Sequence, residues 1–392
     1  AKTTPAPTTL EFTMPRNTAT RRLTARISRL LIPAIASLTA VGCAPSQLRE
    51  VASSNELQWT GVAHAPDGRI FVNYPRWSDR YQFAVARVLD TATPSTVRPN
   101  AIINNWSPEG PGAGDWQERF VAVQSVHIDR QGRMWVLDTG RVSQDAGRQA
   151  VVYEIDLDRD RVKRALPLPF DIAPEGSYIN DIRLTPDGRW AFISDSGLGA
   201  IIVLDTKIGD ARRVLDDHHS TKGNSERIIE IDGRPLLINE TGQPPVIHCD
   251  GIAVSPDAKW VYYKAISADP LFRVPVAMLT DDRIPAEQLA NAVEDLGTAP
   301  ITDAIIFDDA GNLYFSALEQ NAILYRTPQG DYKDLVRHRS ISWPDSFAID
   351  RENDLLVFTT ALIHRTPRFS EGETWPNEPY RVFTHPLAPS NE

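Results

Sequence analysis

The sequence predicts an all-β protein, a single six-bladed β-propeller of four-stranded antiparallel blades. Three observations carry that expectation: a motif that recurs six times, a tight turn inside each copy, and β-prone runs on both sides of each turn. Repetition of this kind marks arrays in which each unit buries its faces against its neighbours.

The copies begin with Thr-Gly-Val-Ala-His-Ala-Pro-Asp-Gly at 60–68. They continue at 124–132, at 180–188 (Asn-Asp-Ile-Arg-Leu-Thr-Pro-Asp-Gly), at 250–258 (Asp-Gly-Ile-Ala-Val-Ser-Pro-Asp-Ala), at 303–311 and at 345–353. Successive starts lie 64, 56, 70, 53 and 42 residues apart, which suits four strands per copy and loops of unequal length. A second strand follows each turn, as in Met134-Trp135-Val136-Leu137 and Trp260-Val261-Tyr262-Tyr263, and third strands follow, as at 151–155, 200–204 and 323–325. Aromatic and β-branched runs around Gly, Asp or Asn turns read as hairpins. Such sheets cannot bury both faces alone, and stacking them radially solves the problem. The long insertions at 91–119 and 216–247 read as surface loops. A helix is expected over 284–296 (Ile284, Leu289, Val293), inside another loop.

The N-terminal part reads as processing sequence. Arg16, Arg21, Arg22, Arg26 and Arg29 precede an apolar run from Leu30 to Val41 that is too short to span a bilayer. It ends in Ala40-Val41-Gly42-Cys43, which resembles a bacterial lipoprotein signal with Cys43 as the lipidated residue. The expected division is an export signal with its upstream segment (1–42), a lipidated linker (43–56) and the propeller (57–392). The expected location is a bacterial cell envelope, with membrane attachment through Cys43.

Composition narrows the partners. The chain holds 41 basic and 51 acidic residues, a net charge of −10; removing residues 1–42 takes away six basic residues and Glu11, leaving about −15. A nucleic-acid binder needs a basic footprint, so no nucleic-acid partner is expected. Cys249 is the only cysteine besides Cys43 and reads as a small apolar filler.

Aligning the copies gives the candidate site. Their first residues are Thr60, Gln124, Asn180, Asp250, Asp303 and Asp345, whereas two positions later stand Val62, Val126, Ile182, Ile252, Ile305 and Phe347. Alternation puts the two series in different surroundings. The inner strands of a propeller border the central channel, so the polar series is expected to ring one mouth. Three carboxylates converging there repel by on the order of 3 kcal/mol per pair at roughly 5 Å and an effective dielectric near 20. Two accounts stay open: a hard divalent cation, Ca²⁺ first, held by Asn180, Asp250 and Gln124, or polar groups that cap strands and hold water. Asp303 or Asp345 would serve as ligand or general base, and His127 is expected to face the same mouth. Trp106 and Trp116 in the first insertion, with Trp343 and Thr60, are the candidate substrate contacts.

Ile179-Asn180-Asp181-Ile182, Cys249 through Asp257, Trp135-Val136-Leu137-Asp138-Thr139-Gly140 and Ala304 through Ser316 resemble blade motifs of the major royal jelly/yellow protein family. The resemblance runs from about Leu57 to His364. It implies a more distant similarity to calcium-dependent propellers of the gluconolactonase and senescence-marker type, in which a Glu, one or more Asn and an Asp hold the metal. Asn180 and Asp250 match two of those positions, and Gln124 falls where a further Asn occurs. Thr60 stands in place of the Glu, and Glu56 and Glu240 are out of register. The implied activity is metal-assisted hydrolysis (lactonase-like) or isomerisation of a small organic molecule. Non-catalytic ligand binding, which the family also includes, and a surface scaffold are the alternatives.

Overall fold

The turns make the hairpins. Gly68, Gly132, Gly188 and Gly311 hold φ of 82°, 73°, 65° and 85° between the first and second strands of four copies. Glycine adopts that left-handed conformation without a Cβ clash. In the fourth copy Ala258 takes φ 56° instead.

In a computed structural model, residues 47–77, 81–89, 96–97, 100, 103–104, 106, 119–141, 149–371 and 377–389 are described, all within one unit from Ser46 to Glu392. They form six four-stranded antiparallel sheets and one small ribbon. Blade one contains Val62–His64, Ile70–Asn73, Val85–Val88 and Thr96–Val97. Blade two contains Val123–Ile128, Met134–Asp138, Ala150–Asp156 and Arg161–Leu168. Blade three is Ile179–Leu184, Trp190–Asp195, Ala200–Asp205 and Ala211–Val214. Blade four is Cys249–Val254, Trp260–Ala265, Pro270–Pro275 and Glu294–Thr298. Thr302–Phe307, Leu313–Ala317, Ala322–Arg326 and Tyr332–Arg337 make blade five.

Blade six closes the ring. Its strands Pro344–Asp350, Leu355–Thr360 and Tyr380–Pro386 are joined by Arg49–Ser54 as the outermost strand, with Arg49 opposite Thr384 and Ser54 opposite Tyr380. Part of the stretch 43–56, expected as a linker, is therefore a strand of the propeller. The expected helix over 284–296 is shorter: helices occupy Val276–Thr280 and Ala286–Asn291, and Glu294–Thr298 pairs as the outer strand of blade four. Apolar spacing of three and four residues fits one buried helical face at Leu289, but Val293 is followed by a strand edge that needs a partner.

A hydrophobic cluster fills every blade interface. Trp135, Leu137 and Val152 of blade two meet Ile182, Ile193 and Ile202 of blade three. Phe192 and Ile201 meet Cys249, Ile252 and Tyr263 across the next interface. Ala52, Val357 and Val382 of blade six meet Trp59, Val62 and Val72 beside blade one. Cys249 is fully buried, as expected of a filler. The insertion at 216–247 is more than a loop. It carries the ribbon Glu230–Ile231 with Arg234–Pro235, and its Ile229, Ile231 and Leu236 share a core with Trp343 and Phe369.

Candidate functional site

The inner strands deliver the ring residues through β-bulges. Pairing between first and second strands slips at Val123/Ser125, Ile179/Ile182, Cys249/Gly251, Thr302/Ile305 and Pro344/Phe347. Gln124, Asn180, Asp250, Asp303 and Asp345 sit in those slips. A bulge adds one unpaired residue and re-aims its side chain, here in five blades at the same level of the strand. All five line a cavity of about 750 Å³.

One hydrogen-bonded chain crosses its floor. Trp77 Nε1 donates to Tyr178 Oη at 3.0 Å, and Tyr178 Oη donates to Gln124 Oε1 at 2.6 Å. Gln124 Nε2 then donates to Asn180 Oδ1 at 2.9 Å, and Asn180 Nδ2 donates to Asp250 Oδ2. Asp250 is hydrogen-bonded to Asp303, and Trp343 Nε1 donates to Asp303 Oδ2 at 2.8 Å. Burial, with the Asp303 charge next, holds Asp250 well above the usual carboxylate range. Burial pushes Asp303 up to about 7, against the pull of hydrogen bonds from Trp343 and Asp250. Asp345 is also held well above the usual range, first by burial and then by the charges of Asp303 and Asp181. Ionising all three would put more negative charge on the floor than its surroundings balance, so burial favours their protonated forms.

Asp138 and Asp195 position the segments that feed the floor. Asp138 accepts the backbone N–H groups of Val121 (2.6 Å), Ala122 (2.8 Å) and Gly140 (2.8 Å), fixing the approach to Gln124. Asp195 accepts the Tyr178 N–H and the Ser177 hydroxyl at 2.8 and 2.7 Å, and the Arg213 guanidinium at 2.7 Å. Within the Trp135–Gly140 motif, Asp138 is therefore structural support behind the cavity, while Thr139 lines it.

Three expected site residues lie elsewhere. Thr60 does not line the cavity; its hydroxyl accepts from Asn73 Nδ2 at 2.9 Å, inside the wall. His127 lines a separate cavity at the other ends of the inner strands, away from the ring. Trp106 is buried beneath Arg76, whose guanidinium stands 4.9 Å from its ring; Arg76, not Trp106, faces the cavity. Trp116 and Cys43 fall outside the described residues. Glu56 and Glu240 are exposed and do not line the cavity.

Other lining residues were not anticipated: Tyr178, Arg141, Arg368 and Phe369, with Val246 and Ile247 from the end of the 216–247 insertion. Tyr178 had a signal. It precedes Asn180 by two residues, as Trp343 precedes Asp345 by two. Blades three and six stand opposite in the ring order, so an aromatic with a polar tip reaches the floor from each side. Among the described residues, no three His, Cys, Asp or Glu side chains gather at metal-binding separation. The donor chemistry nevertheless fits a hard cation, since two adjacent carboxylates and an amide oxygen are of the type such ions take.

The family model for the major royal jelly proteins matches residues 121–371. The chain belongs to this family. The matched residues cover blades two to five, the 216–247 insertion and the first two strands of blade six, so they include Gln124, Asn180, Asp250, Asp303 and Asp345. Among relatives, protein yellow of Drosophila melanogaster is 23% identical over 352 residues, covering 84% of this chain and 62% of the fly protein. Protein yellow of Drosophila erecta is 22% identical over 353 residues with the same coverage. The chain thus spans less than two thirds of these relatives' length. Among solved structures, a gluconolactonase from Xanthomonas campestris aligns with a TM-score of 0.52 at 12% identity, over 87% of this chain and 89% of its own. A calcium-binding regucalcin from Agrobacterium tumefaciens aligns with a TM-score of 0.50 at 14% identity, over 86% and 97%. Those two likenesses establish a shared propeller fold.

Proposed function

We propose that the chain hydrolyses a small lactone-like organic molecule in the 750 Å³ cavity, assisted by a divalent cation, calcium first. The observation that carries this reading is the unbalanced acidic floor of Asp250, Asp303 and Asp345, three buried carboxyls held above their ordinary range by burial and by one another. Asp250 and Asp303 would hold the ion, and Asn180 would add its amide oxygen by turning over the side-chain amide that now gives its N–H to Asp250 and its oxygen to Gln124. Such a cation, when bound, polarises a carbonyl oxygen and acidifies water. The protein's own groups divide the remaining work. Trp343 fixes the Asp303 carboxylate through its indole N–H. Asp345, the remaining carboxyl of the floor, would accept a proton once a bound cation favours its ionised form over the neutral form that burial favours. Trp77, Tyr178 and Phe369 offer apolar wall to the body of the substrate, and Arg141 and Arg368 suit a carboxylate product. The gluconolactonase and regucalcin with the same fold support this reading by analogy.

A second reading is non-catalytic binding of the same class of molecule, favoured by Thr60: blade one, where the related enzymes place a Glu, supplies no ligand. The discriminating experiment is calorimetric titration of calcium into the purified chain and an Asp250→Asn variant, followed by a lactone panel. Binding of one ion per chain, at least tenfold weaker in the variant, with turnover that follows it, supports the enzyme. Ligand binding without calcium or turnover supports the carrier. Export and lipidation at Cys43, supported by the sequence of residues 14–43, belong to the same proposal and place the site at a cell envelope.

A further inference from the structure

The channel has a second end. Where the inner strands finish, all six blades contribute to a cavity of about 70 Å³, with His64, His127, Arg130, Arg183 and Arg351 among its lining residues. Its chemistry is opposite to that of the first mouth. Three guanidinia face it, and two carboxylates answer them. Asp309 pairs with both Arg130 (2.5 Å) and Arg351 (3.3 Å), and Asp181 accepts from Arg183 Nη1 at 2.7 Å. His64 stands 3.5 Å from Asp350, whose oxygens are also held by Asn353 and the Glu352 N–H. Asp129, also on the wall, is occupied by Arg133 and Trp135.

Arg183 is the decisive residue. It is 4% exposed, and Nη1 is satisfied by Asp181 and by the Ile182 carbonyl at 2.8 Å. Nε and Nη2 are buried and have no hydrogen-bond partner. Those two nitrogens form one edge of the guanidinium. Elsewhere in this chain the same edge grips a carboxylate with two bonds, Arg189 on Asp205 and Arg283 on Asp281. An edge of this kind matches the two oxygens of an oxyanion, and leaving it bare in the interior is costly.

We propose that this second cavity is a binding site for one small inorganic oxyanion, seated on the Nε–Nη2 edge of Arg183 and flanked by His127 and Arg351. The space is about a tenth of that at the acidic mouth, 70 against 750 Å³, which suits an ion of a few heavy atoms. The guanidinium edge favours phosphate over chloride, because a halide offers one acceptor where the fork has two donors. The proposal does not rest on any activity at the acidic mouth; Asp181 adjoins both ends, accepting from Arg183 at one and acting through its charge on Asp345 at the other.

The test is calorimetric titration of inorganic phosphate into the full chain in low-chloride buffer, with sodium chloride as the control ligand. The expected result is saturable binding of one phosphate per chain. Arg183→Met should weaken it at least tenfold and Arg351→Gln several-fold, Asp250→Asn should leave it unchanged, and chloride should bind more weakly. If Arg183→Met does not fold, as circular dichroism would reveal, Arg351→Gln and His127→Gln carry the comparison. Absence of saturable binding at millimolar phosphate would mean that water alone satisfies Arg183, and the site would be rejected. Binding that survives all of the folded variants at this end, or that disappears in Asp250→Asn, would equally overturn it.

Discussion

Lys264 lies in the second strand of blade four with no exposed surface, and its ammonium donates to the carbonyls of Ala268 and Asp269 (3.0 Å for the latter). Carbonyl oxygens carry no full charge, so burial dominates and pushes the amine down to about 7. The ordinary value is 10.5. Between those two values the unfolded chain binds a proton that the folded chain lacks, so this group makes stability rise with pH; below about 7 its penalty is constant. A Lys264→Met variant lacks the titration but also lacks the two hydrogen bonds, a loss that does not depend on pH. Relative to the wild type, the variant should therefore be most stable near pH 6 and lose ground steadily up to pH 9.5. Urea unfolding across that range measures the difference. A gap that does not change with pH would show that Lys264 keeps an ordinary pKa.

At the scale of elements, the seam of blade six is the point where a single strand matters most. Arg49–Ser54 is held by pairing to Tyr380–Pro386, by the buried Ala52 and by the Glu50–Arg381 ion pair at 3.1 Å. Glu50 is largely exposed, so Glu50→Gln should cost less than about 1 kcal/mol. Ala52→Asp places an unpaired carboxylate among Val62, Val357 and Val382 and should cost about 3–5 kcal/mol. Chemical denaturation of both variants checks the contrast; equal, small losses would mean that the strand does not secure the ring. The bulges show the opposite use of an element, since at Gln124, Asn180, Asp250, Asp303 and Asp345 lost pairing becomes side-chain aim. No turn signal announces them in the sequence. The alignment of the six copies found these residues only because they begin each repeat.

At the scale of the whole molecule, the blades were legible because each copy states its turn and its alternation within about nine residues. The site was legible in its floor and not in its walls. His127 was misplaced because three residues along a strand cover about 10 Å, enough to reach the opposite end of the channel. Thr60 shared the repeat position but found a buried partner in Asn73, a contact that no periodicity encodes. The 216–247 insertion has no repeat to align, so its contribution of Val246 and Ile247 to the cavity was invisible. Attachment of the molecule to a membrane is a separate question, and intact-mass measurement of chain extracted from membranes answers it. A diacylglycerol thioether with cleavage before Cys43 is expected, and an unmodified residue 43 in the extracted chain would refute it.

Closing the ring with a strand from the opposite end of the chain also sets a clock. Glu50 and Arg381, partners across the seam, are 331 residues apart. At about 5–20 residues per second of synthesis, roughly 17–66 s pass between the appearance of the two. For all that time the first strand of the propeller is an unpaired edge, the kind of segment that chaperones bind and that aggregates recruit.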